Sequence, residues 1–420
     1  MKRKITAVAL LFLLLAAGCY YALLERKQSI LTVGVYAGSY WNTPNGNCYQ
    51  ILDDAIALFH EKYPDVQVKY VSGIGIDAYS EWLAEQILKG TEPDLYFVLP
   101  DDFNLLASAG ALERLDHLIS DDPDFHTDAY YNSCLQAGRF DGGQYALPQE
   151  SVPTLMFVNK TLLESCGIPM PDNNWTWDNF YQICAQVTDV ENKIFGVYGY
   201  TWLNALYANG AALFSEDGAA CYLADEKVQA AIRFTSRLHE LNGGYTVSSR
   251  DFDLGRVAFR PFLFSEYRAY QPYPWRVKKY SGFQWDCVCM PAGPEGDNVS
   301  ELHTMLLGIS ARSKQKQRVW ELAKLLSLDE SIQSELYINS HGISPVRQVA
   351  EKQSELDTLD LPSGFTPEVI HKIMNNAAIV PQFEKSAQAM VMAEKAVAEA
   401  VEGNNQLLTA QQNINIYLNQ

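Results

Sequence analysis

Phe59-His60-Glu61-Lys62-Tyr63-Pro64-Asp65-Val66-Gln67-Val68-Lys69-Tyr70 is where the hydrophobic period of this chain changes. Upstream, Leu52, Ala55, Ile56 and Phe59 recur at helical spacing. Pro64 cannot continue a helix, because it lacks the N–H and its ring clashes with the preceding turn. Beyond it, Val66, Val68 and Tyr70 alternate with polar residues, which predicts a strand. Helix, proline, strand is one half of an α/β repeat, and the flanking sequence extends it in both directions. Leu31 to Tyr36 predicts an earlier strand, followed by the turn-rich loop Trp41-Asn42-Thr43-Pro44-Asn45-Gly46. Tyr79, Trp82, Leu83 and Ile87 predict a second helix, stopped by Gly90. Asp94 to Leu99 is a short apolar run suited to a buried parallel strand. Phe103, Leu106 and Ala107 open another helix, closed by Gly110.

The alternation resumes further along. Leu155 to Val158, Phe195 to Tyr200, Trp285 to Met290 and Met305 to Ile309 predict strands. Thr176 fits the N-cap of a helix starting at Trp177-Asp178. Val319, Leu322, Leu325 and Leu326 mark one helix, and Ala389, Ala393, Ala396, Val397 and Ala400 a long C-terminal one. Strands alternating with helices imply an α/β class with parallel sheets. The chain has 420 residues, enough for two domains. No repeat and no low-complexity linker separates them, so the chain is expected to pass between the two units more than once.

The N-terminus reads as an export signal. Met1-Lys2-Arg3-Lys4 is basic, the run from Ile5 is apolar, and Ala16-Ala17-Gly18 are small residues before Cys19. A cysteine in this place resembles the bacterial lipobox, which implies cleavage after Gly18 and a lipid on Cys19. The uncharged stretch from Ile5 to Leu24 is about 20 residues, long enough to span a bilayer as an uncleaved anchor. In either case the residues after Glu25 are expected outside the cell membrane, because Lys2, Arg3 and Lys4 hold the N-terminus inside.

The net charge is -18, which repels phosphate backbones and argues against nucleic acid as a partner. Of eight cysteines, seven remain when Cys19 is set aside. An odd number at irregular spacing is no disulfide framework, and buried thiols are expected. The seven histidines are scattered, with no cluster of metal-ligand spacing, so no metal site and no cofactor are expected. Gly73-Ile74-Gly75 lacks a phosphate-loop continuation and reads as a turn.

At this point the residues resemble a family. Phe59 to Val68 resembles the first helix-to-strand turn of bacterial extracellular solute-binding proteins, family 1, the sugar-type and maltose-binding-protein-like group. Pro93-Asp94-Leu95-Tyr96-Phe97 resembles its cleft-ending strand. Tyr145-Ala146-Leu147-Pro148 with Phe157-Val158-Asn159-Lys160 resembles the first passage between its lobes. Trp285-Asp286 with Met290-Pro291-Ala292-Gly293-Pro294 resembles the second, and His341-Gly342-Ile343-Ser344-Pro345-Val346-Arg347 a motif near the third.

The resemblance implies a two-lobed, type II periplasmic-binding-protein-like fold. Each lobe would be a mostly parallel sheet flanked by helices, and three hinge crossings would join them. The expected division is 1–18 signal peptide, 19–29 tether, 30–145 plus 291–328 first lobe, and 146–290 plus 329–420 second lobe. Crossings are expected near Tyr145–Ser151, Trp285–Pro291 and Asp329–Gln333. The implied function is a monomeric, membrane-anchored lipoprotein that captures a carbohydrate and delivers it to the permease of an ABC importer. The maltose-binding branch carries an Asp-Arg pair after the Pro-Asp strand, and here the pair is Asp101-Asp102. Ser265 stands where that branch has a Trp. The ligand therefore need not be maltose-like.

A sugar presents C–H faces to aromatic rings and hydroxyls to Asp, Glu, Asn and Gln. Trp41, Asp101 and Asp102, Gln149 and Glu150, Trp202 and Asn204, and Tyr267 fall in loops after expected strands or at the first crossing. Open α/β sheets bind ligands at the carboxyl ends of strands. The plain alternatives are core packing for the aromatics, helix capping for Asp101 and Asp102, and hinge hydrogen bonding for Glu150. No catalytic residue is expected: adjacent carboxylates such as Asp101-Asp102 or Asp53-Asp54 cannot flank a scissile bond. A surface-anchored glycan hydrolase and a sugar receptor for a sensor kinase stay open as alternatives.

Overall fold

The computed structural model describes residues 29–41, 43, 47–270, 282–357, 367–404 and 406–420. The signal, Cys19, most of the tether and part of the loop after Trp41 lie outside the described residues. Among the described residues ten strands form in chain order: β1 (Ser29–Gly34), β2 (Val66–Tyr70), β3 (Leu95–Val98), β4 (Arg139–Phe140), β5 (Gly143–Gln144), β6 (Ala146–Asn159), β7 (Phe195–Val197), β8 (Val257–Leu263), β9 (Trp285–Val288) and β10 (Leu302–Ile309). The order β2-β1-β3-β10-β6-β8-β7 makes one sheet, with β9 also paired to β6, and β4-β5 is a separate hairpin. The two ends are parallel: β1 with β2 and β3, and β7 with β8. Antiparallel pairs occur where β10, β6, β8 and β9 meet.

Local signals act as the sequence predicts. Helix Gln50–Lys62 ends where Tyr63 and Pro64 leave helical conformation, burying Leu52, Ala55 and Phe59. Helix Ile76–Lys89 stops at Gly90, whose φ of 69 is left-handed backbone that suits glycine. Thr176 caps helix Trp177–Val187 in a reciprocal box with Asn179. Two lobes result. The first packs Leu31, Val33, Phe59, Leu83 and Phe103 into its core. The second packs Trp175, Phe180, Phe234 and Phe259, with Trp177 stacked on Phe234 at 4.3 Å. Among the described residues no disulfide forms. Five thiols are buried, and Cys48 and Cys166 are half-buried.

β6 joins the lobes. Its residues up to Pro153 pair with β10, and Thr154 onward pair with β8. The other passages lie elsewhere than expected. Residues 291–298 stay with the second lobe: Ala292 N–H donates to the Trp175 carbonyl at 3.0 Å, and Asn298 Nδ2 to the same carbonyl at 2.9 Å. The chain crosses back only at Ser300–Leu302. Helices Lys316–Leu328 and Glu330–Asn339 both pack on Gln50–Lys62 of the first lobe. Tyr131 N–H donates to the Pro345 carbonyl, and Ser133 Oγ to that of Met374. The third passage is therefore near Ala378–Phe383 and not at Asp329–Gln333. After it, Phe383 meets Phe214 edge-on at 5.3 Å, and Asn415 and Gln411 bind the backbone of Cys221 and Ala224. Asp329 turns the chain between two first-lobe helices and caps the second through Ser331 and Ile332.

Candidate functional site: a cleft over a three-stranded hinge

The three passages lie side by side. Thr154 N–H donates to the Glu301 carbonyl, Leu302 N–H to that of Ala378, and Ala378 N–H to that of Ser300, each at 2.8 Å. Loops rise from the carboxyl ends of β1 and β3, where open α/β sheets bind ligands. Tyr40 OH donates to Asp101 Oδ2 at 3.0 Å, and Ser80 Oγ to Asp102 Oδ2 at 2.6 Å. Asp102 occupies the cap position of helix Phe103–Ser108 without a side-chain cap bond. Burial holds its carboxyl above the usual range, opposed by the Ser80 hydroxyl and reinforced by Asp101.

Glu301, on the second passage, lies between the lobes electrostatically. The Tyr40 phenol is raised first by burial, then by Asp101, Asp102 and Glu301. Tyr207, on helix Trp202–Ala208 of the second lobe, is raised by burial and then by Glu301. The Asp101 carboxylate thus meets the Tyr40 phenol directly, and the charge of Glu301 is felt by phenols of both lobes. The His303 ring nitrogen lies 3.9 Å from Glu301.

The sequence-predicted residues divide into two groups. Asp101 is exposed, Asp102 and Trp202 are half-buried, and all three stand on loops or helix starts at strand ends. The others are interior. Trp41 is 1% exposed and its Nε1 donates to Glu150 Oε2 at 2.7 Å. Glu150 is buried, and its carboxyl is pushed up to about 7 by burial, against the Trp41 and Gly342 N–H groups and the Arg268 charge. Gln149 is buried beside Gln333, whose Nε2 donates to its carbonyl at 3.0 Å. Asn204 Oδ1 accepts from the Thr201 N–H and hydroxyl, closing a capping box at the start of helix Trp202–Ala208. Tyr267 is fully buried, stacked on Phe264 with centroids 5.9 Å apart. Sequence reasoning did not single out Tyr40, Tyr207 or Glu301. Tyr40 adjoins Trp41 and could have been found there; Glu301 carries no local signal.

Asp53 and Asp54 lie on helix Gln50–Lys62 and accept from Tyr70 and Gln50. Among the described residues no group of three or more His, Cys, Asp or Glu could hold a metal ion, and no helix is long and apolar enough to cross a membrane.

Solved structures share this architecture. The cyclic α-maltosyl-1,6-maltose binding protein of Arthrobacter globiformis superposes with a TM-score of 0.77 at 16% identity, covering 93% of this chain and 98% of its own. The sugar-binding protein MalE of Xanthomonas citri gives 0.72 at 16% identity, over 93% and 96%. The ABC substrate-binding protein Lmo0181 of Listeria monocytogenes, in complex with cycloalternan, gives 0.69 at 18% identity, over 93% and 97%. At these identities the likeness establishes the fold. A comparison with curated proteins found no match. The family model described as bacterial extracellular solute-binding protein matches residues 44–332, more than half of the sequence. With that match spanning the loop after β3 and two of the three hinge passages, the chain belongs to the bacterial extracellular solute-binding protein family, whose members bind substrates and are not enzymes.

Proposed function

We propose that this protein is the carbohydrate-capturing component of an ABC importer, held outside the cell membrane by a lipid on Cys19. The observation that carries the reading is the arrangement above the hinge. Asp101 and Glu301 offer carboxylate acceptors for hydroxyls, while Tyr40, Tyr207 and Trp202 offer rings from the two lobes. A protein of the same fold in complex with cycloalternan, and another named for binding cyclic α-maltosyl-1,6-maltose, support this ligand class. In this reading the first lobe comprises the described residues of 29–153 plus 302–377 and the second those of 154–301 plus 378–420. The permease would receive the sugar when the lobes open.

A library of oligosaccharides tests the ligand class by thermal shift. A cognate sugar at a hundred times its dissociation constant should stabilise the fold by about 2.7 kcal/mol and be recovered unchanged. Asp101→Asn should weaken its binding by about 1.5–3 kcal/mol, and Trp202→Ala by roughly 1–3 kcal/mol, with the ligand-free melting point little altered. If no carbohydrate shifts the transition, the sugar reading fails; shortened sugars would instead indicate a hydrolase.

The anchor has its own test. Labelled fatty acid should enter the wild-type chain and not Cys19→Ser, which should also keep its signal uncut. No label in the wild type would leave the stretch from Ile5 to Leu24 as the anchor, and equal labelling of both would place the lipid on a residue other than Cys19.

A further inference from the structure

The lobes meet at a second place besides the hinge. β8 brings Leu263 opposite Thr154 at the hinge, and helix Phe264–Tyr270 then runs along β6. Ser265, fully buried, donates through Oγ to the Trp41 carbonyl at 3.1 Å, joining this helix to the loop after β1. One turn later the Arg268 guanidinium lies 3.2 Å from the ring centroid of Tyr337. Tyr337 belongs to helix Glu330–Asn339, which packs on Gln50–Lys62 of the first lobe. Arg268 is 7% exposed and also attracts the Glu150 carboxylate on the first-lobe side of β6.

We infer that Arg268 is a positioning residue that straps the second lobe to the first before any ligand arrives, and so sets the fraction of molecules already closed. The physical basis is the environment of its charge. A desolvated guanidinium over an aromatic face is attracted to it more strongly than one in water. A buried cation also needs its partners, because removing them leaves the charge uncompensated. Opening the lobes separates Arg268 from Tyr337 and breaks the Ser265 bond in the same motion. A ligand that binds the closed form has an apparent dissociation constant equal to the intrinsic one divided by the closed fraction. The strap therefore tunes affinity without touching the ligand.

The test measures the distance between spin labels at Glu81 and Glu240 in the full chain. Both positions are exposed, on helix Ile76–Lys89 of the first lobe and helix Glu226–Glu240 of the second. Ligand-free wild type should show one short distance. Arg268→Met should add a longer population and weaken apparent affinity for a sugar found by the thermal-shift screen, on the order of tenfold. Arg268→Lys, which keeps a charge over the ring, should restore part of the short population. Tyr337→Leu keeps apolar bulk and should reproduce the effect if Arg268→Met does not fold. Unchanged distances in folded Arg268→Met, or in Tyr337→Leu if Arg268→Met does not fold, would overturn the inference. Only the affinity arm rests on the sugar-binding reading. A longer distance with no sugar bound by any variant would keep the strap and remove that reading.

Discussion

Trp41→Ala is expected to lower the unfolding free energy by about 3–5 kcal/mol, the scale of truncating a buried aromatic side chain, in the absence of any ligand. The ring is 1% exposed and meets Tyr40 edge-on, with centroids 4.9 Å apart. Truncation removes that area from the first core and leaves a cavity. It also strips Glu150 of the N–H donor at 2.7 Å, leaving a buried carboxyl short of a partner. Trp41→Phe weights the two contributions differently, since it retains the six-membered ring and loses the donor together with the rest of the pyrrole ring. It should cost about 1–3 kcal/mol, the penalty for an unsatisfied buried group. Urea unfolding of the ligand-free protein at neutral pH reads both. A loss below about 1 kcal/mol for Trp41→Ala would mean that the indole is not packing material and is available to stack on a sugar.

The outcome for Trp41 shows where sequence reasoning ends. Residue type marks an aromatic as large and apolar; it does not say whether its face meets a ligand or the core. Trp41 and Tyr267 went to the interior, while Trp202 stayed half-buried at a helix start. What could be read was local. The change of period at Pro64, the stop at Gly90 and the cap at Thr176 depend on neighbours within one turn, and each forms as expected. The passages between lobes were harder. All of β6 from Ala146 to Asn159 is buried, so no alternation marks where it leaves one lobe for the other. β8 contains Pro261, which lowers the signal for a strand inside a sheet. The resemblance implies a crossing near Asp329–Gln333, yet the helices on either side of Asp329 both pack on the same lobe. Glu301 acquires its position from Thr154 and Ala378, partners far away in sequence, and no window around it could reveal that.

Stability should fall as pH rises from about 5 to 8, and Glu150→Gln should remove a large part of that fall. The Glu150 carboxyl is pushed from 4.5 up to about 7, chiefly by burial, with the Trp41 and Gly342 N–H groups and Arg268 acting in the opposite direction. A carboxyl raised in the folded state holds its proton there more tightly than in the unfolded chain. Its contribution is complete below the unfolded value of 4.5 and is lost as pH passes through about 7. At about 1.36 kcal/mol per pKa unit, the loss is on the order of 3 kcal/mol. Glu335, beside Asp54, is likewise raised to about 7, and Asp102 is raised too, so the wild-type slope is a sum of same-signed contributions. The difference between wild type and Glu150→Gln isolates one of them, because the amide keeps an acceptor for Trp41 and has no proton to lose. Urea unfolding of both at pH 5, 6, 7 and 8 gives that difference directly. Parallel curves would mean that Glu150 is ionised throughout this range in the folded protein. The Arg268 guanidinium would then neutralise it more fully than burial opposes it, and the hinge would hold a buried ion pair in place of a protonated acid.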